Sequence, residues 1–237
     1  MVGIGTLIDV TLTLAGGICG ILFGRFMTKH LQDSLMKSTA VAVLFVGMAG
    51  ALSGMLSISD GQLVSGQTAM VVVSLALGTL VGEVLNIEYQ VERFGEWLKY
   101  CTGSKGDTTF VDGFVAASLA TSIGAMGVVG AVQDGIGGNW NMLALKGAID
   151  ALLVCTMTVS MGKGCIFSVI PILLIEGPLT LLAQLIQPVL IPAAVANLSL
   201  VGSILIFCVG VNLIWERTFR VANYMPAMIF AVIAAFL

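Results

Sequence analysis

The sequence predicts an all-α fold, a polytopic transmembrane helical bundle of about eight spans with both termini outside, and three observations predict it. Apolar residues make up 58% of the 237 and charged residues only 10%, against roughly 25% charged in an average soluble domain. A mean hydropathy of +1.06 leaves more apolar side chains than any core of this size can hide from water. Basic residues fall in alternate connections, as the retention of Lys and Arg on the cytoplasmic side demands. The same composition excludes other classes. A net charge of −3 with no basic run lacks the footprint of a nucleic-acid binder, and disorder or a disulfide scaffold does not fit either.

A bilayer core about 30 Å thick needs about 20 mostly apolar residues per helix. Eight stretches meet that need, within a single integral membrane domain over 1–237: residues 4–27, 35–57, 66–87, 110–133, 141–162, 165–187, 196–215 and 221–237. Their apolar runs are continuous, which argues against the alternating strands of an outer-membrane barrel. Met1 to Asp9 carry no positive charge and lead into a long span, so span one reads as retained rather than as a signal peptide.

Charge tests this division independently. Arg25, Lys29 and Lys37 surround the first connection, Arg93, Lys99 and Lys105 lie in the third, Lys163 in the fifth, and Arg217 and Arg220 in the seventh. Only Lys146 falls elsewhere. One span more or fewer spoils the alternation, although a re-entrant segment could replace a span. Within the third connection, Ile87, Val91, Phe94 and Leu98 recur at helical spacing while Glu88, Glu92, Glu96 and Lys99 occupy other faces. Residues 88–102 therefore read as a cytoplasmic amphipathic helix, or as a continuation of span three.

Gly16, Gly20 and Gly24 line one face of span one, and Gly50 with Gly54 and Gly78 with Gly82 repeat the spacing in spans two and three. Such faces let helices approach to backbone contact, within the chain or in a homo-oligomer. Two echoes, Gly47–Gly54 with Gly124–Gly130 and Ile8-Asp9 with Ile149-Asp150, read either as an internal repeat or as chance likeness in a Gly- and Ala-rich chain. All five prolines lie between Pro171 and Pro226, so broken helices and a lined cavity are expected in the second half, with the first half as scaffold.

A charge at the centre of a membrane helix costs about 2.5–3.5 kcal/mol on insertion scales, so ionisable residues far from span ends are site candidates. Glu176 lies mid-span beside Gly177 and Pro178, where a helix break would free backbone groups for an ion or solute; a hydrogen-bonded neutral Glu is the plainer reading. Lys146 and Asp150, one turn apart on span five, form a gating or coupling pair if they face inward, or a snorkelling lysine with its partner at the interface. Asp112 opens span four, whose glycine-rich outer end reads as irregular, and Gln133 and Asp134 cap a broken helix, line an external vestibule or form an exposed turn. Asp9 and Glu83 read first as interfacial.

The single histidine, His30, and the unpaired Cys19, Cys101, Cys155, Cys165 and Cys208 give no metal site, and no cofactor is implied. No nucleophile can be matched with a base, no catalytic residue is assigned, and no Walker A sequence, GxSxG or HExxH occurs, so a nonenzymatic protein is expected.

The run Gly5-Thr6-Leu7-Ile8-Asp9, the stretch Leu77–Glu83 before Glu92–Trp97, Gly124 through Gly135, and Val221–Pro226 together resemble the YdfK/YqgA-type bacterial membrane proteins, a family of unknown function loosely described as transport proteins. The likeness covers nearly the whole chain. It implies a multi-pass protein of the bacterial inner membrane that moves a solute, and names no substrate or site residue. It also implies an amide at the positions of Asp9 and Glu176, which would make those carboxylates departures. The expected function is a secondary transporter or ion-coupled permease for a small solute or ion, with the lipid bilayer as surroundings; a channel and a nonenzymatic accessory subunit are the alternatives.

Overall fold

A computed structural model of the chain describes residues 2–59, 62–215 and 218–237, so Arg217 of the charge pattern lies outside the described residues. The chain forms α1 (Ile4–Gly24), α2 (Lys29–Met55), α3 (Thr68–Leu85), α4 (Ile87–Cys101), α5 (Phe110–Ser122), α6 (Ala125–Gly137) and α7 (Asn141–Met161). A 3₁₀ stretch, Lys163–Ser168, then runs into α8 (Val169–Leu181), followed by α9 (Ala183–Ile186), α10 (Pro192–Ile214), α11 (Val221–Tyr224) and α12 (Pro226–Ile233). Among the described residues six helices are long and apolar enough to cross a membrane, a seventh is the bent pair α5–α6, and Val221–Phe236 is a shorter apolar helix. An all-α polytopic bundle is therefore the architecture. One exposed antiparallel hairpin, β1 (Leu56–Ser59) against β2 (Gln62–Ser65), departs from it, in the connection after α2.

The glycine faces decide which helices meet. A Cβ on Gly16 would strike the Ala151 carbonyl, and one on Gly20 would stand 2.7 Å from Thr158 Cβ, so α1 lies parallel to α7. Gly47 abuts Phe207, Gly50 Ser203 and Gly54 Leu200, an antiparallel register between α2 and α10. Gly78 and Gly82 run antiparallel along Ala227 and Asn223. All three faces are thus filled within the chain. Without a hydrophobic drive between helices in lipid, such close backbone contact is what holds membrane helices together.

These registers place the described bases. Ser160 Oγ donates to the Gln32 carbonyl at 3.0 Å and Thr109 Oγ1 to the Met161 carbonyl at 2.9 Å, which brings the end of α7 beside the starts of α2 and α5. Arg220 bonds Glu83 at 3.2 Å at the end of α3, an exposed pair that fits the interfacial reading of that acid. The basic connections thus share one side, called the basic side below, and Lys146 lies apart from them.

The break comes where no proline marks it. α5 and α6 are bent by 60°, with Gly124 at φ +153° between them, a conformation that a side chain rarely adopts. This pair crosses rather than turning back: its start is tied to Met161, while Asp134 near its end accepts the Gly5 N–H at 2.9 Å, at the opposite ends of the parallel helices α7 and α1. The break expected at Glu176-Gly177-Pro178 is not there, because α8 continues through Pro178 to Leu181. Pro171, Pro192 and Pro226 sit in first turns, where the missing N–H would have no partner anyway, and Pro188 lies in a 3₁₀ turn.

The amphipathic segment is a helix of its own, set off from α3 by Asn86 at φ +50°. Val91, Phe94 and Leu98 pack on Phe110 and Phe114 of α5, so this face covers the protein at the basic side.

Gly16→Leu must separate α1 from the α7 backbone and is expected to lower stability by about 1–3 kcal/mol, the usual range for overpacking. Gly24→Ala is the control: its Cβ would stand 3.5 Å from Val159 Cα, an ordinary contact, and it should be neutral. Thermal unfolding of the two purified variants in detergent separates the outcomes.

Candidate functional site

Three helices bring four ionisable side chains to one point. α7 supplies Lys146 and Asp150 from the same face, α1 supplies Asp9, and α8 supplies Glu176. Asp9 can reach because Gly147 has no side chain: a Cβ there would stand 2.8 Å from Asp9 Cα. Lys146 Nζ then lies 2.8 Å from Asp9 Oδ2, 2.6 Å from Asp150 Oδ2 and 3.1 Å from Glu176 Oε1. None of the four side chains is more than 10% exposed. Thr13 Oγ1 donates to the other oxygen of Asp9 at 3.3 Å, whereas Glu176 Oε2 is buried with no protein partner.

The arithmetic of this site is unbalanced. One ammonium faces three carboxylates, and an uncompensated charge in a low-dielectric interior is unfavourable by several kcal/mol. Protons or a bound cation must make up the difference whenever all three acids are present. α6 adds the positive end of its backbone dipole, since Gly127 in its first turn is the residue that faces the cluster. A Cβ on Gly127 would stand 2.9 Å from Glu176 Oε1 and 3.3 Å from Lys146 Cε. The bend at Gly124 is what allows a helix to begin here, in mid-span.

The carboxylates converge on Nζ, not on a space between themselves, and among the described residues no group of His, Cys, Asp and Glu could hold a metal ion. A cavity of about 620 Å³ lies elsewhere. It opens on the basic side under α4 and is lined by Asp33, Glu88, Glu92, Asp112, Asn212 and Arg220 among others, with no cluster residue in its wall.

Of the residues singled out from the sequence, Lys146, Asp150 and Glu176 come together, and Lys146 is inward-facing and not a snorkelling side chain. Gly177 has nothing within 4 Å of its Cβ position and takes no part. Asp112 is exposed at the cavity, far along α5 from the bend, and Gln133 is exposed on α6. Asp134 is wholly buried, not in an exposed turn; its Oδ2 caps the start of α1 by accepting from Gly5 N. Asp9, read as interfacial, is the residue that sequence reasoning missed. The echo of Ile8-Asp9 in Ile149-Asp150 was the available signal, because the two aspartates grip the same lysine from adjacent parallel helices.

Comparison with known proteins supports the resemblance. A family model described as "Protein of unknown function (DUF554)" matches residues 4–236. The chain is 24% identical over 232 residues to the uncharacterized membrane protein YdfK of Bacillus subtilis (strain 168), covering 98% of this chain and 95% of that protein. It is 26% identical over 232 residues to the uncharacterized protein YqgA of Escherichia coli (strain K12), covering 96% and 94%. No solved structure matches.

Removing only the lysine leaves three buried acids without their cation, and Lys146→Met is expected to destabilise the protein by about 3–5 kcal/mol. Adding Asp9→Asn, Asp150→Asn and Glu176→Gln to the same chain should restore most of that loss, since amides need no countercharge. Unfolding midpoints in detergent for the single and the fourfold variant provide the comparison.

Proposed function

The chain belongs to the DUF554 family, whose description assigns no reaction, and from that premise we propose that it is an ion-coupled secondary transporter for a small solute. One observation carries the reading: a buried lysine shared by three carboxylates from α1, α7 and α8, beside a helix that begins in mid-span. Groups this costly to insert mark ion and substrate pathways in membrane proteins, and helices that start inside the bilayer are a recurring part of transporter sites. In this reading the chain crosses the bacterial inner membrane eight times, the basic side faces the cytoplasm, and both termini lie outside. The cavity on the basic side is the solute's inner mouth. Its described lining, with Asp33, Asn86, Asn212 and Arg220 among its polar side chains, favours a polar solute. The protein transforms nothing: it moves the solute, and the cluster couples that movement to an ion.

A second reading has one observation in its favour. No cluster residue lines the basic-side cavity, as would hold in a purely structural clamp between α1, α7 and α8 of an accessory subunit. Against it, the glycine faces that would bind a partner are already filled within the chain. Uptake in proteoliposomes, screened over cations, amino acids and small organic acids, separates the two. Wild type should concentrate one class of solute in an ion gradient, and Glu176→Gln and Asp150→Asn should both lose that concentration. Uptake by none of the three would favour the accessory subunit, and equal uptake by all three would reduce the cluster to a clamp within a transporter.

A further inference from the structure

We propose that the ion coupled at this site is the proton, carried on Glu176 Oε2 and exchanged with the basic-side cavity along the buried hydroxyls of Ser168, Ser118 and Ser122. The proposal rests on the transporter reading and adds the identity and route of the ion.

The centre of the cluster is already filled. Lys146 Nζ sits within 2.6–3.1 Å of all three acids, so a metal ion would have to displace the ammonium that holds them, and a proton would not. One cluster oxygen is both buried and without a protein partner, Glu176 Oε2, on a side chain only 4% exposed. A proton added there converts the carboxylate to a carboxylic acid and lowers the net charge of the cluster from −2 to −1, with the lysine's three contacts kept. The groups facing Glu176 are Lys146 and Asp150 from α7 and Asp9 from α1. From α6 it meets Gly127, and the one carboxylate of that helix, Asp134, is engaged with Gly5. From α5 the only ionisable group is Asp112 at the cavity, and Lys163 stands at the start of its own span.

The two sides of the cluster differ. Away from the basic side, Thr180 lies one turn beyond Glu176 and shares a 3.0 Å hydrogen bond with Thr6, and Asp134 closes on Gly5 at 2.9 Å through Oδ2, leaving its Oδ1 the single buried oxygen there without a protein partner among the described residues. Toward the basic side, the hydroxyls of Ser118, Ser122 and Ser168 are buried with no protein partner. Such a group is unfavourable unless something satisfies it, and water, which can accept and donate in sequence, suits all three. They lie at successive levels of the bundle between the start of α5 and its bend. Gly164 abuts Phe110, and Gly113 would stand 3.1 Å from Cys165 Sγ, so α5 and the span 163–181 run parallel in register. In that register Ser168 and Ser118 lie beyond these contacts toward the centre, and Ser122 lies one turn further, at the bend where α6 begins. The start of α5, with Thr109 and Asp112, lines the cavity.

Infrared difference spectroscopy of the intact protein in liposomes tests the carrier without any solute. Wild type should show the C=O stretch of a protonated acid that disappears as pH rises; Glu176→Gln should lose this band and Glu176→Asp should shift it. A band that persists in Glu176→Gln, or that ignores pH, overturns the carrier. The triple variant Ser118→Ala, Ser122→Ala, Ser168→Ala removes only unsatisfied hydroxyls, so it should fold and keep the band, while H/D exchange of that band slows several-fold; unchanged exchange overturns the route. Loss of the band on replacing K⁺ by Na⁺ at fixed pH would identify a metal cation and sink the proton, leaving the transporter reading intact. A pH-dependent band in a protein that takes up no solute would do the reverse.

Discussion

A single ammonium group in a low-dielectric interior constrains this molecule more than any other feature. Lys146 is buried among helices, so its charge is tolerable only where acids meet it, and the three that do come from helices far apart in sequence. Asp150 is local, one turn away. Asp9 and Glu176 are not, and their contacts fix the depth at which α1 and α8 stand against α7. Sliding either helix by one turn, about 5.4 Å, would strand a charge.

The glycine faces make that arrangement reachable. Gly147 and Gly16 bring the backbones of α1 and α7 together, and Gly127 lets the first turn of α6 approach the lysine and Glu176. Small residues therefore serve two ends at once, the cohesion of the bundle and the closeness of its charges. The same logic explains the bend at Gly124. A continuous helix from Phe110 to Gly137 would have no free N–H groups in mid-span, whereas the broken one has a helix start there, with Gly127 facing the cluster.

Polarity along the bundle is uneven. On one side of the cluster, Thr6 bonds Thr180 and Gly5 bonds Asp134, whose second oxygen stays unpartnered; on the other, unpartnered serine hydroxyls and a cavity with acids in its wall follow. The amphipathic helix α4 roofs the cavity, so its apolar face is part of the protein wall and its acids are part of the lining.

Composition and charge alternation determined the class by themselves, because the energetics of placing apolar runs and lysines across a bilayer act on each segment independently. The amphipathic helix at 87–101, the role of the glycine faces and the pairing of Lys146 with Asp150 were legible for the same reason: each depends on residues three or four apart. The bend was legible only in part: the glycine-rich run of span four reads as irregular, but a glycine's freedom does not mark where the chain breaks, and the prolines pointed to span six instead. Not legible at all was the burial of Asp9, which lies six residues from the start of α1 and is interior only because Lys146 stands opposite. Which helix faces which, and hence which acids share a proton or a cation, is a property of contacts between distant segments, and only the tertiary structure could decide it.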